Sequence, residues 1–174
     1  MKTSLRDYWE IINYNYEQIR FAEIKSSVIL SVYSLIFTLA YTIDILDDEN
    51  VYSFSLNSVK DYILIVLVLP IVFFTFSAFV SCVKCFLPRL KKSSLNSPLF
   101  FGDVAMGYSD FDSYNSDLNA LLSDDEKYKT HLSHMVYATG NIAFTKFKHV
   151  NSAIKNLIKS IISFSIFLIC LYIF

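Results

Sequence analysis

Tyr62–Val83 reads YILIVLVLPIVFFTFSAFVSCV, about 22 residues without a single charge. As a helix such a run is long enough to cross a hydrocarbon core of about 30 Å, which takes about 20 residues. A soluble chain of 174 residues has too little protein to cover a helix of this kind on every side. The stretch is therefore read as a membrane span, and it sets the fold class. Upstream, Ser26–Leu46 (SSVILSVYSLIFTLAYTIDIL) is a second run of the same kind, with only Asp44 charged. Downstream, Ser160–Phe174 is shorter. It spans if it borrows Leu157 and Ile158 while Lys155 and Lys159 reach back to the interface along their aliphatic stems. The composition agrees: 54% apolar, 17% aromatic and only three glycines. The expected fold is an all-α membrane protein, with three transmembrane helices whose long cytoplasmic helical extensions form a bundle.

Fourteen of the 15 Lys and Arg residues fall on one side of this arrangement, and only Lys60 lies between the first two spans. That loop carries Asp47, Asp48, Glu49 and Asp61 instead. Positive charge marks the cytoplasmic side, so the N-terminus is expected inside and the C-terminus outside, in a multi-pass membrane protein. The expected divisions are residues 1–25, a cytoplasmic helix continuous with the first span; 26–46, the first span; 47–61, a short acidic outer loop; 62–87, the second span; 88–156, a cytoplasmic helical region; and 157–174, the third span. The 25 residues ahead of the first apolar run, and that run's length, argue against a secretory signal.

Apolar residues at Leu5, Tyr8, Ile12, Tyr16 and Ile19 recur with a helical period, so one helix is expected from about Thr3 to Leu46. Pro70 is tolerated in a membrane helix but is expected to bend it. Ser109 and Asp112 resemble a capping box ahead of a helix over Asp110–Leu122. Ser123-Asp124-Asp125-Glu126 is a clearer one, opening a helix to Phe174 in which Gly140 marks a bend or a close contact. Asn141, Thr145, Lys148, Ser152, Lys155, Lys159 and Ser163 form a polar stripe on that last helix, opposite Phe147, Val150, Ile154, Leu157 and Ile161. Ser27, Ser31, Ser34 and Thr38 form a weaker polar line on the first span. Such lines either pack helices together within the membrane or line a wet path between symmetry-related copies. Ser152, Lys155, Lys159, Ser163, Ser27, Ser31, Ser34 and Thr38 are the candidate pore-lining residues, because one three-span chain encloses no pore.

Little here points to catalysis. There is no nucleophile elbow, phosphate loop or paired-carboxylate arrangement. Cys82 and Cys85 have no second pair to complete a zinc site, and His131 with His134 lacks a placed third ligand. No enzyme activity, metal or cofactor is expected. Arg20, Lys25, Lys146 and Lys148, with Tyr128, Tyr137 and Phe147, combine cations and aromatic rings suited to anionic lipid headgroups or to a phosphate joined to a base.

Three short segments occur in order along the chain: RFAEIKSS (Arg20–Ser27), SPLFFGDV (Ser97–Val104) and NIAFTKFKHVNSAI (Asn141–Ile154). They resemble the R-x-A-D-x-K-A, N-L-x-F-F-G and i-A-x-x-K-y-x-x-l segments of transmembrane effectors from pyrimidine cyclic-nucleotide anti-phage (Pycsar) systems. Glu23 stands where that pattern has Asp, and Ser97-Pro98 replaces its Asn. The positions that match are Arg20, Ala22, Glu23, Lys25, Phe100, Phe101, Gly102, Ala143 and Lys146. The resemblance implies an antiviral effector in the bacterial inner membrane, a homo-oligomer such as a tetramer. It would answer a nucleotide or oligonucleotide made by a neighbouring cyclase or nucleotidyltransferase, and membrane integrity would then be lost. A ligand that opens the channel and a ligand that holds it closed are both consistent with this, as is a non-conducting scaffold that recruits a partner protein. Arg20, Lys25, Phe100, Phe101, Lys146 and Lys148 are the nucleotide-binding candidates. Phe100 and Phe101 are expected either to bury near Ile19 and Phe147 or to wall a pocket completed by Lys25 or Lys146.

Overall fold

The computed structural model describes residues 4–46, 59–87 and 95–173. The acidic stretch over 47–58 and the basic linker with Arg89, Lys91 and Lys92 lie outside the described residues. The described residues form five helices: α1 (Leu5–Leu46), α2 (Val59–Phe86), α3 (Phe101–Gly107), α4 (Phe111–Leu122) and α5 (Asp125–Ile173). They group into two compact units. Unit 1 is Met1–Phe21 with Leu87–Thr145, and unit 2 is Ala22–Phe86 with Lys146–Phe174.

Helix starts follow local polar chemistry. Ser4 Oγ accepts from the Arg6 amide, and the Asp7 carboxylate accepts from the Ser4 amide at 3.0 Å, a reciprocal cap that opens α1. At the starts of α4 and α5 the structure corrects the expected caps by one residue. Asp110, not Ser109, takes the Ser113 amide at 2.8 Å, and Asp124, not Ser123, takes the Lys127 amide at 3.1 Å. A carboxylate beside the positive end of a helix outcompetes a hydroxyl one position earlier. Ser123 instead closes α4, its amide and hydroxyl both donating to the Asn119 carbonyl. The backbone of α5 runs through Gly140 as helix, and a Cβ there would lie 3.6 Å from Asn15 Nδ2. A Cβ at that distance makes only an ordinary contact, so the close contact expected at Gly140 is not required there.

In unit 1, Ile12, Phe100, Leu132 and Met135 form the buried centre, with Leu5, Tyr8 and Tyr128 packed around it. Asn15 Nδ2 donates to the Val136 carbonyl at 3.1 Å and to Thr139 Oγ1 at 2.9 Å, joining α1 to α5 through a polar pair inside this unit. In unit 2, the centre is Ala22, Ile29 and Tyr33 from α1, Ala78, Cys82 and Cys85 from α2, and Val150 and Ala153 from α5. Small side chains at these positions let helix backbones approach closely, which is what drives packing where lipid is as apolar as leucine.

The outer faces of unit 2 carry exposed Leu35, Leu39, Val66, Phe73, Phe76 and Ile169. α1, α2 and α5 each contain a stretch long and apolar enough to cross a membrane: Leu5–Thr42, Tyr62–Phe86 and Asp125–Leu171 bound the three candidates. Apolar side chains that face outward from helices of this length are satisfied by lipid. The chain is an all-α membrane protein with three candidate spans, as its apolar runs predict.

Candidate functional site

The strongest polar constellation lies inside unit 2, where two of the three resembling segments meet. Lys146 is 4% exposed. Its Nζ donates to Glu23 Oε1 at 2.7 Å and to the backbone carbonyl of Cys85. The lysine comes from α5, the carboxylate from α1 and the carbonyl from the last turn of α2. Two residues along α1, the Lys25 ammonium lies 5.4 Å from the centre of the Phe147 ring, within cation–π range. The first and third segments therefore form paired contacts, Glu23 with Lys146 and Lys25 with Phe147. An ammonium beside an ionised carboxylate and a helix-end carbonyl is well satisfied, which is why a lysine is stable here among alanine and cysteine side chains.

A second set of polar side chains lies further along the same unit. Tyr33 Oη and Ser160 Oγ are 3.1 Å apart and both buried. Ser81 Oγ meets Ser152 Oγ at 3.3 Å while also donating to the Ser77 carbonyl. The Ser26 hydroxyl is fully buried and makes no hydrogen bond among the described residues. Polar groups inside a spanning bundle are costly unless paired, and they set helix register.

The candidate pore-lining residues lie mostly on outward faces. Ser27, Ser31 and Thr38 each donate to the carbonyl four residues earlier, so their hydroxyls are satisfied by their own helix. Ser34, Ser152, Lys155 and Lys159 are exposed, and Ser163 is half-buried. The Lys159 ammonium sits 5.2 Å from the centre of the Phe74 ring. The inward face of α5 is instead Lys146, Val150, Ala153, Leu157, Ser160 and Phe167. Phe147 and Ile154 pack against the same core, so four of the five residues of the apolar stripe expected from the sequence face inward and only Ile161 is exposed. Periodicity missed Lys146 and Ser160 because polar residues in a helical pattern read as an outer face. Their inward position is set by specific partners, Glu23 and Tyr33, on a distant stretch of chain.

Of the other nucleotide-binding candidates, Arg20 and Lys148 are exposed. Phe100 is 8% exposed and packs with Ile12 of α1 and with Leu132 and Met135 of α5, all in unit 1, so it buries against the first and last long helices. Phe101 is 70% exposed, which corrects the expectation that both rings bury together. The reason is local. Ser97–Phe100 forms a turn closed by the Phe100 amide on the Ser97 carbonyl, and Phe101 then begins α3, so consecutive side chains leave the backbone in opposite directions. This short helix was not expected from SPLFFGDV.

The turn is anchored by buried Asp103, whose Oδ2 accepts the Ser97 amide at 3.0 Å, while Ser97 Oγ and His131 Nδ1 are hydrogen-bonded at 2.9 Å. Burial, helped by the nearby His134 charge, pushes the His131 pKa below its ordinary value, and Asp103 opposes the shift. Asp103 holds the Ser97 backbone rather than orienting the imidazole, so the three do not form a nucleophilic triad. Among the described residues, no three His, Cys, Asp or Glu side chains come together as metal ligands.

No curated protein and no solved structure matches the chain significantly. The Pycsar effector protein domain does, over residues 7–174, covering all three segments and all five helices but for the first turn of α1. With three helices able to span a membrane and with this domain covering nearly its whole length, the chain belongs to the Pycsar effector protein domain family and is an anti-phage defence effector with a transmembrane domain.

Proposed function

We propose that this effector is an oligomer of the bacterial inner membrane that responds to a nucleotide signal by opening a path for ions, arresting or killing the infected cell. The observation that carries the reading is the uncovered polar line on the spanning part of each protomer. Ser27, Ser31, Ser34 and Thr38 on α1, with Lys155 on α5, face outward within unit 2, while the exposed Ser152 and Lys159 also touch Ser81 and Phe74 of α2. Serine and threonine can satisfy themselves on their own helix, but an outward lysine at a spanning helix requires water, headgroups or another protomer. A ring of copies, a tetramer for instance, turns such lines toward a shared wet axis. In this reading the chain works by conduction rather than catalysis. Its N-terminus and residues 88–156 face the cytoplasm, where the nucleotide is made by a partner cyclase or nucleotidyltransferase, and its C-terminus faces outward, a reading that the distribution of Lys and Arg supports.

The partnered state of Lys146 narrows the ligand site. A buried ammonium already bound to Glu23 does not meet a nucleotide unless Glu23 gives way, so within unit 2 the exposed Lys148 is the better phosphate contact. A ligand acts here only through unequal affinity for two states, and that holds whether it opens or closes the path.

The experiment is ion flux from liposomes containing the purified full chain, with cyclic mononucleotides and short cyclic oligonucleotides titrated separately. Flux that rises or falls with one of them is expected. No flux under any condition, with a stable co-purifying protein instead, would replace this reading with a membrane scaffold.

A further inference from the structure

We infer that the Lys146 ammonium is a latch that fastens the C-terminal end of α2 to α1 and α5, and that the effector changes state by releasing it. Cys85 is the penultimate residue of α2, so its carbonyl is one of the four at a helix C-terminus that have no donor within the helix. The Lys146 Nζ supplies that donor and places positive charge at the negative end of the helix dipole. The same nitrogen is held by Glu23 of α1 at 2.7 Å. One charged atom thus joins three helices; the other junction of this kind in unit 2 is neutral, the Tyr33 hydroxyl with Ser160 of α5 and Thr75 of α2.

Stability alone does not account for a lysine at this position. Buried ion pairs are commonly replaced by apolar side chains with no loss of stability, because desolvation offsets their attraction. What an ion pair provides, and a leucine does not, is a contact with two discrete states, paired or hydrated. The local geometry suits such a contact. The lysine side chain is 5% exposed, whereas its glutamate partner is 39% exposed, so water reaches the contact from the Glu23 side.

The helix being fastened is also weakened in its middle. Pro70 lies within α2 and has no amide to give the carbonyl four residues earlier, at Val66. The segment from Ile71 to Phe86 is therefore hinged at Pro70, packed through Ala78 and Cys82, and fastened by charge only at its C-terminal end. Freeing the Cys85 carbonyl lets that segment pivot at Pro70.

The latch rests on the membrane-effector reading only for its cellular readout, and it is tested without any flux measurement. Amide hydrogen exchange is followed in the full chain in lipid nanodiscs for the wild type, Lys146→Met, Glu23→Gln and the control Ser160→Ala. Cell growth is followed in parallel on expression without phage. In Lys146→Met, exchange of the amides over 81–86 is expected to quicken about tenfold or more while α1 and the rest of α5 stay protected, and growth is expected to stop without infection. Glu23→Gln keeps an acceptor and removes the charge, so a smaller change at the same amides is expected. Ser160→Ala should leave those amides unchanged.

Unchanged exchange over 81–86, uniform acceleration along all three helices, or local acceleration with normal growth would each overturn the latch. If Lys146→Met does not accumulate as folded protein, Glu23→Gln decides by the same criteria. A chain that passes both tests yet conducts nothing in liposomes overturns the permeabilising function and leaves the latch standing.

Discussion

Phe100 is 8% exposed within a cluster of Ile12, Leu132 and Met135, while its neighbour Phe101 is 70% exposed. Truncating the first leaves a cavity and truncating the second does not. Phe100→Ala is expected to cost about 3–5 kcal/mol in thermal or denaturant unfolding of the detergent-solubilised protein. Phe101→Ala should stay within about 0.5 kcal/mol of the wild type. A loss of phage protection in Phe101→Ala at unchanged stability would assign that ring to assembly or ligand contact.

Gly140 is helical, and a Cβ on it would meet only Asn15 Nδ2, at the ordinary contact distance of 3.6 Å. Gly140→Ala should therefore raise stability by about 0.5–1 kcal/mol by restricting the unfolded chain and favouring the helix. A drop in the unfolding midpoint would show that the Asn15 contact tolerates no methyl group.

His131 responds to pH in a known direction. Its pKa is lowered in the fold by burial, so the folded state binds fewer protons than the unfolded chain. Its contribution is fully present above the unfolded value of 6.5 and is lost as pH falls through the lower folded value. The unfolding midpoint of the wild type should fall between pH 7 and pH 5 more steeply than that of His131→Gln.

Helix ends show a similar dependence in the acidic range. The Asp110 and Asp124 carboxyls are held below the usual carboxylate value, in each case chiefly by a backbone amide, that of Ser113 or of Lys127. Both are depressed in the fold, so each cap stabilises its helix fully above the ordinary carboxyl range and is lost as pH falls through the lower folded value. Asp110→Asn and Asp124→Asn should flatten the acid limb of helix loss measured by circular dichroism. An unchanged acid limb would mean that neither cap limits unfolding there. The existence of α1 and α2 was legible from apolar runs and period, that of α4 from its capping pattern, and that of α5 from a capping pattern and an apolar run together. The caps were off by one residue because adjacent serine and aspartate both satisfy the sequence pattern, and only geometry shows which oxygen reaches the third amide. α3 was hidden because a helix of 7 residues is too short to show a period.

For the whole molecule, three apolar helices and a family of membrane effectors lead to a direct expectation: the protein stays with membranes through high salt and alkaline carbonate and leaves only with detergent. Release by carbonate would show that it lies on the membrane surface instead.

The sequence by itself determined the all-α class, the three apolar runs, the asymmetric distribution of positive charge and the family, because each depends on composition and short segments read locally. Which polar side chains face inward was decided by tertiary structure alone. The Lys146 ammonium is buried because Glu23, 123 positions away along the chain, and the end of α2 converge on it. Phe100 is buried and Phe101 is not because a turn at Ser97 sets where α3 begins. Partners so distant along the chain leave no periodic trace, since the free energy that holds a polar group inside comes from contacts that exist only once the helices have packed.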